Sequence, residues 1–287
     1  MTNRHARRFF FLLSILLAAV LLQGQAPPAP AAPQAPGRGR LPPEPVNFAN
    51  TEGWTQIFDG KTLNGWDGNP QVWKVEDGAI TAESTEQRRL GGTHIIWKGG
   101  EPADFELKLE VKMTEGLNSG IAYRSYVNLN PAPPRQGAPG AAGGGAGRAA
   151  QPPPAVPSEP KWTLLGPGMD FDYNTNFDGN VEERGSPRGE IAYRGGVVRT
   201  ETGKRPVYIA MIGDSAELAK LIHPAEWTQL HIIARGNQLT HIINGQLMSI
   251  LFDDDPTMFR KSGLIGLQFQ PGIGKISYRN VWLKILQ

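Results

Sequence analysis

Two aspartates one residue apart, Asp170 and Asp172 in GPGMDFDYN, are the side chains whose types and spacing most readily do chemistry. If MDFDY is a strand, Met169, Phe171 and Tyr173 share one face and the two aspartates the other, their Cα atoms roughly 6.6 Å apart over two strand steps. Two carboxylates that close in a groove that excludes water do not ionise together. One is pushed up, which sets an acid beside a base. The same spacing also suits a solvated strand face or a loop cap. In SGIAYRSYV the same parity turns Ile121 and Tyr123 to the core and Arg124 and Tyr126 away from it. Arg124 is then a planar, always charged fork for hydroxyls or an oxyanion, or else a neutralising ion pair for one aspartate. Gln268, opposite in parity to Ile265, Leu267 and Phe269, offers an amide on the same kind of face. His231 and His241 lie on strands with apolar residues on both faces, where a hydrogen-bonded core histidine is the default, and His94 and His223 carry less. With no HxH or HExxH spacing, zinc is disfavoured. The divalent cation that suits this sequence is a hard one, held by Asp170, Asp172, a backbone carbonyl and water.

These residues must be placed by strands, because the dominant period from about residue 51 onward is two. In DFELKLEVKMT, Phe105, Leu107, Leu109, Val111 and Met113 form one face and Glu106, Lys108, Glu110 and Lys112 the other, so a slip of one residue would invert the strand. Further strands are expected at VWKVE, GAITAE, THIIW, SGIAYRSYV, MDFDY, GEIAYRG, PVYIAMI, WTQLHIIARG, QLTHIING, QLMSILF, LIGLQFQ and KISYRNVWLKIL. Asp77-Gly78, Gly236-Asn237 and Asn244-Gly245 mark turns, and a single short helix is expected from about Ser215 to Ile222. A dozen strands with almost no helix predict an all-β, two-sheet sandwich. In a curved sandwich one sheet covers the inner face of the other, and the outer face forms a groove where polar residues between core positions meet a ligand.

The absence of cysteine excludes disulfides, thiolate metal sites and a cysteine nucleophile, so stability must come from the core. A net charge of +2, from 29 basic and 27 acidic residues, with no Lys/Arg block interleaved with aromatics in the folded part, argues against a nucleic-acid partner. Arg4, Arg7 and Arg8 precede an apolar run from Phe9 to Leu22, which predicts a signal peptide over 1–24 and a periplasmic or secreted domain, with no membrane partner beyond that segment. Residues 25–50 read as a Pro/Ala-rich linker. A second Pro/Ala/Gly-rich segment, 131–160, reads as a disordered insertion in one domain spanning 51–287, since about 80 residues before it are too few for a sandwich of their own.

GWTQIFDGKTLNGW at Gly53 to Trp66, WKVEDGAI, DFELKLEVKMTEGLNSGIAYRS, EWTQLHIIARGNQLTHIINGQLM, GLIGLQFQPG and YRNVWLKIL together resemble the 3-keto-disaccharide hydrolase family, in the family's order. The resemblance implies a concanavalin A-like jelly roll and an exported protein that acts on sugars bearing a ketone at C3. For that chemistry Asp172 or Asp170 is the expected base and Arg124 or a bound divalent cation the enolate stabiliser, with the acid open between the other aspartate and His241. Arg188, in ERGSPRGEIAYRG, resembles the arginine that follows the aspartates in a subgroup of the family, although Ser186 and Pro187 lengthen the loop here. Gln268, Arg188, Asn118 and Tyr126 are the expected substrate contacts. Two other readings fit the same groove: a non-catalytic glycan-binding module, and a conventional glycoside hydrolase with Asp170 and Asp172 as its acidic pair.

Overall fold

A computed structural model describes residues 47–129 and 155–287. The predicted signal peptide, most of the linker, and residues 131–154 of the predicted insertion lie outside the described residues. Residues 155–160, also predicted to be disordered, are packed: Val156 is buried and bridges Leu90, and a 3₁₀ turn at Pro160–Trp162 follows.

The strands in chain order are β1 (Thr55–Gln56), β2 (Trp66–Asp67), β3 (Trp73–Glu76), β4 (Ala79–Ser84), β5 (Thr93–Trp97) and β6 (Phe105–Met113). There follow β7 (Asn118–Val127), β8 (Leu164–Asp172), β9 (Val181–Arg184), β10 (Gly189–Ala192), β11 (Gly196–Thr200) and β12 (Val207–Met211). A helix α1 (Ser215–Ala219) precedes β13 (Thr228–Arg235), β14 (Gln238–Ile243), β15 (Gln246–Asp253), β16 (Leu264–Phe269) and β17 (Gly274–Ile285). They form a ten-stranded sheet in the order β12-β11-β15-β14-β13-β6-β17-β4-β3, with β1 on β17, and a seven-stranded sheet in the order β10-β9-β8-β7-β16-β5-β2. The chain is a two-sheet jelly-roll-like sandwich. Its ladders are antiparallel except for the parallel pairing of β11 with β15.

Alternation sets the core. Phe105, Leu107, Leu109, Val111 and Met113 of β6 are buried and meet Ile121, Tyr123, Met169, Phe171, Ile265, Leu267 and Phe269 of the seven-stranded sheet in one cluster. Asp77-Gly78 and Asn244-Gly245 turn β3 into β4 and β14 into β15, with positive φ at all four residues, which the asparagine, aspartate and glycines tolerate. Helix α1 starts at Asp214, whose side chain accepts from the amides of Ala216 and Glu217. On the other face of β6, Lys108 is not solvated as its parity suggested. Its ammonium lies 4.4 Å from the Trp54 ring and donates to the carbonyls of Phe48 (2.8 Å) and Asn50, so the segment preceding β1 folds over it.

Candidate functional site

The outer face of the seven-stranded sheet carries an end covered by the 3₁₀ turn and, beside it, a cluster of charged side chains. At the covered end Trp162, from the 3₁₀ turn, packs on Ile96, Ala122 and Leu164 and donates its indole N–H to Asp67. The strand register aligns the charged cluster. Asp170 stands opposite Gly120, Gly168 opposite Glu182, Ala122 opposite Gly266, and Gln268 opposite His94. Residues at these paired positions and two further along share a face, so Glu182 and Arg184 of β9, Asp170 of β8, Gln268 of β16 and His94 of β5 all point outward.

Arg184 organises this face. It donates from Nη2 to Asp170 Oδ1 (3.1 Å) and from Nε to Glu182 Oε2 (3.0 Å), and its Nη1 lies 3.3 Å from His94 Nε2. The guanidinium lies over Gly120, where an added Cβ would come within 2.6 Å of Nη2, so glycine is the residue that lets it reach Asp170. Burial holds the His94 imidazole down at about 3, helped by the neighbouring Arg184 charge, so His94 is neutral and can accept from the guanidinium. Carboxylate oxygens of Asp170, Glu182 and Glu190 lie within 4.8 Å of one another. Burial pushes Asp170 well above the usual carboxylate range, and the charge of Glu182 adds to it, against the pull of Arg184. Burial raises Glu190 as well, and its Oε2 is buried without a hydrogen-bond partner among the described residues. The three carboxyl groups surround one guanidinium, and burial favours the protonated forms of Asp170 and Glu190. They are also the side chains placed to hold a hard divalent cation.

The structure redistributes the residues expected from sequence. Asp170 and Gln268 lie on this face, and Asn118, at the start of β7 opposite Asp172, keeps a buried Oδ1 without a partner among the described residues. Tyr126 lines a cleft of about 200 Å³ with Arg184, Gly166, Thr257 and Arg260, and the Arg260 guanidinium stacks 4.4 Å from its ring.

Four expectations are corrected. Asp172 caps the loop after β8, accepting from the amides of Asn174 (3.2 Å) and Phe177 (2.9 Å) and from Asn176 Nδ2 (3.0 Å). It forms neither an acid pair with Asp170 nor the expected cation site. Arg124 lies in a β-bulge, where the β7–β8 register jumps between Ala122 and Tyr126, and its φ of 45° turns the side chain inward. It is 0 % exposed. All five of its N–H groups are committed, to the carbonyls of Ala103, Gly236 and Arg260 and to Asp104. Gly263 allows the bulge, since a Cβ there would meet the Arg124 carbonyl carbon at 2.4 Å. His241 belongs to the ten-stranded sheet and points into the core, bonded to Tyr123 Oη (2.8 Å) and the Gly179 carbonyl (3.1 Å), with burial holding it at about 4. Arg188 clamps the inner side of β9 to β15, donating to both Asp253 oxygens (2.7 and 2.9 Å) and to Glu183 (2.7 Å).

Arg184, Glu182 and Glu190 were not singled out from sequence. Glu182 and Arg184 do alternate in VEER, but a four-residue strand gives a weak signal, and their nearness to Asp170 follows only from the pairing of β8 with β9.

The chain is 38% identical over 82 residues to a 3-keto-disaccharide hydrolase of Bacteroides thetaiotaomicron, a stretch that is 26% of this chain and 28% of that protein. Among solved structures it is similar to a putative glycosyl hydrolase from Parabacteroides distasonis (19% identity, 81% of this chain and 99% of that one, TM-score 0.45). It is also similar to a carbohydrate-binding module from Bacillus subtilis (12% identity, 81% of this chain and 95% of that one, TM-score 0.42). The sequence model of one family covers residues 53–284, nearly the whole of the sandwich, and the chain belongs to that family, the 3-keto-alpha-glucoside-1,2-lyase-like domain.

Proposed function

We propose that this protein cleaves the glycosidic bond of 3-keto-glycosides by elimination followed by hydration, with the charged cluster around Asp170 and Arg184 on the outer face of the seven-stranded sheet as its active site. The observation that carries the reading is the buried carboxylate of Asp170, held by Arg184 beside two further carboxyl groups. A ketone at C3 acidifies the C2 hydrogen. Asp170 takes that proton, and the electron pair moves into a C2=C3 enolate whose oxygen Arg184 stabilises. The enolate then collapses to the C3 ketone, forms C1=C2 and expels the C1 substituent. Its oxygen takes the proton held by Glu190, whose carboxyl burial raises. Water added across C1=C2 completes hydrolysis.

This chemistry suits a site in which the acid and base exchange protons over a short distance. Carboxylate oxygens of Asp170, Glu182 and Glu190 lie within 4.8 Å of one another. The Asp170–Asp172 pair that a conventional glycosidase would need is not available, because Asp172 holds its loop.

The test is product formation from 3-keto-trehalose or 3-keto-sucrose beside the unoxidised sugars. Turnover confined to the 3-keto compounds, and reduced in Asp170→Asn, is the expected result. Equal turnover of the unoxidised sugars, or none of either, would defeat the reading, and the second outcome with retained binding would make the chain a glycan-binding module.

A further inference from the structure

The edge strand β12 carries a feature unrelated to this chemistry. Val207, Tyr208, Ile209, Ala210 and Met211 are exposed on both strand faces, from 45% at Ile209 to 66% at Met211, and no charged residue lies between Pro206 and Gly213. Exposed Tyr193, beside Tyr208, adds to the apolar surface of this region. Other edges are guarded: β3 carries Lys74 and Glu76 in ion pairs, and β2 is two residues long. Among the described residues β12 pairs with β11 alone, and the register shift opposite Val197 and Val198 leaves Ile209 without a β11 partner.

We infer that β12 is a homodimer interface, on which the β12 of a second copy pairs antiparallel about a two-fold axis at Ile209. The flanking charges argue for a second copy. Lys204 and Arg205 precede the strand and Asp214 and Glu217 follow it, all exposed. Antiparallel pairing about Ile209 sets Val207 against Met211 and Tyr208 against Ala210, and brings the end of each strand that carries Lys204 and Arg205 toward the end that carries Asp214 and Glu217 in the other copy, where Lys204 and Glu217 also hold local ion pairs with Glu201 and Lys220. The strand is thus complementary to its own two-fold image in both apolar surface and charge, and the pairing closes the open edge of both copies. The Pro/Ala-rich segments outside the described residues are poor alternative occupants, since proline has no N–H to give a ladder.

Sedimentation of the full mature chain tests this. The expected result is a monomer–dimer equilibrium that weakens with salt and is abolished by Ile209→Lys, which sets like charges face to face across the axis while leaving the exposed site and the circular dichroism spectrum unchanged. Because the chain has no cysteine, Ile209→Cys should form a disulfide-linked dimer on oxidation, whereas Lys98→Cys, exposed elsewhere, should not. A wild-type chain that stays monomeric, or a dimer that Ile209→Lys leaves intact, overturns the proposal. So does a monomer whose residues 207–211 are protected from hydrogen exchange, since the chain would then cover its own edge.

Discussion

Asp170 and Asp172 share a strand and a face, yet Asp170 pairs with Arg184 beside Glu182 and Glu190, whereas Asp172, with Asp178 and Arg194 nearby, accepts from the amides of the loop that follows it, and their variants should separate accordingly. Asp170→Asn keeps the volume and a hydrogen bond from Arg184, so the fold should hold while turnover of a 3-keto-glycoside falls by ~10²-fold or more, a typical loss for a missing general base. Wild-type-like turnover would remove Asp170 from the reaction. Asp172→Asn has one oxygen where the loop uses two, accepting from Asn174, Asn176 and Phe177. Its expected effect is a loss of about 1 kcal/mol or more of stability, read by urea denaturation. Any fall in turnover should be smaller than that of Asp170→Asn, and the reverse order of the two variants would restore Asp172 as the base.

At the scale of elements, the bulge in β7 decides the largest departure from the expected site. A regular strand puts Arg124 on the outer face. The bulge turns it inward, where it ties together the residues before β6, the β13–β14 turn and the segment before β16. Arg124→Met should therefore cost at least about 2 kcal/mol, because it strands several buried acceptors and the Asp104 charge. A change under about 0.5 kcal/mol, as at a surface position, would contradict the structural role. His241 bridges the two sheets in the same manner, and its titration gives a pH signature. Its pKa is about 4 in the fold against 6.5 for the free side chain. Between those values the unfolded chain binds the proton that the folded chain refuses, so this group makes stability fall as pH drops from 6.5 toward 4. His241→Gln should make the loss of stability over that window shallower, by up to about 1.4 kcal/mol per pH unit. Parallel wild-type and variant curves would show that His241 is charged in the fold.

For the molecule as a whole, the basic and apolar N-terminus followed by a Pro/Ala-rich stretch predicts export, and the mature protein from its native host should begin near Gln25 in a periplasmic or extracellular fraction. An intact Met1 in the cytosol would refute it. The sandwich itself was legible in the chain because strand patterning is local: the alternation in DFELKLEVKMT fixed which side of β6 is buried, and Asn244-Gly245 fixed a hairpin through its positive φ. Parity also placed Asp170 and Gln268 on an outer face without knowledge of their neighbours. It failed at Arg124, because a bulge adds a residue to one strand and reverses the alternation after it, which the sequence SGIAYRSYV does not announce. It was silent on Arg184, Glu182 and Glu190, since only the order β10-β9-β8-β7-β16-β5 brings their strands beside Asp170 and His94. The sequence alone determined the fold class and the family, and it also pointed to Asp170, one carboxylate of the proposed site; each of these rests on local pattern. The tertiary structure decided which strands are neighbours, and therefore which charges share a low-dielectric face and which serve the loops and core.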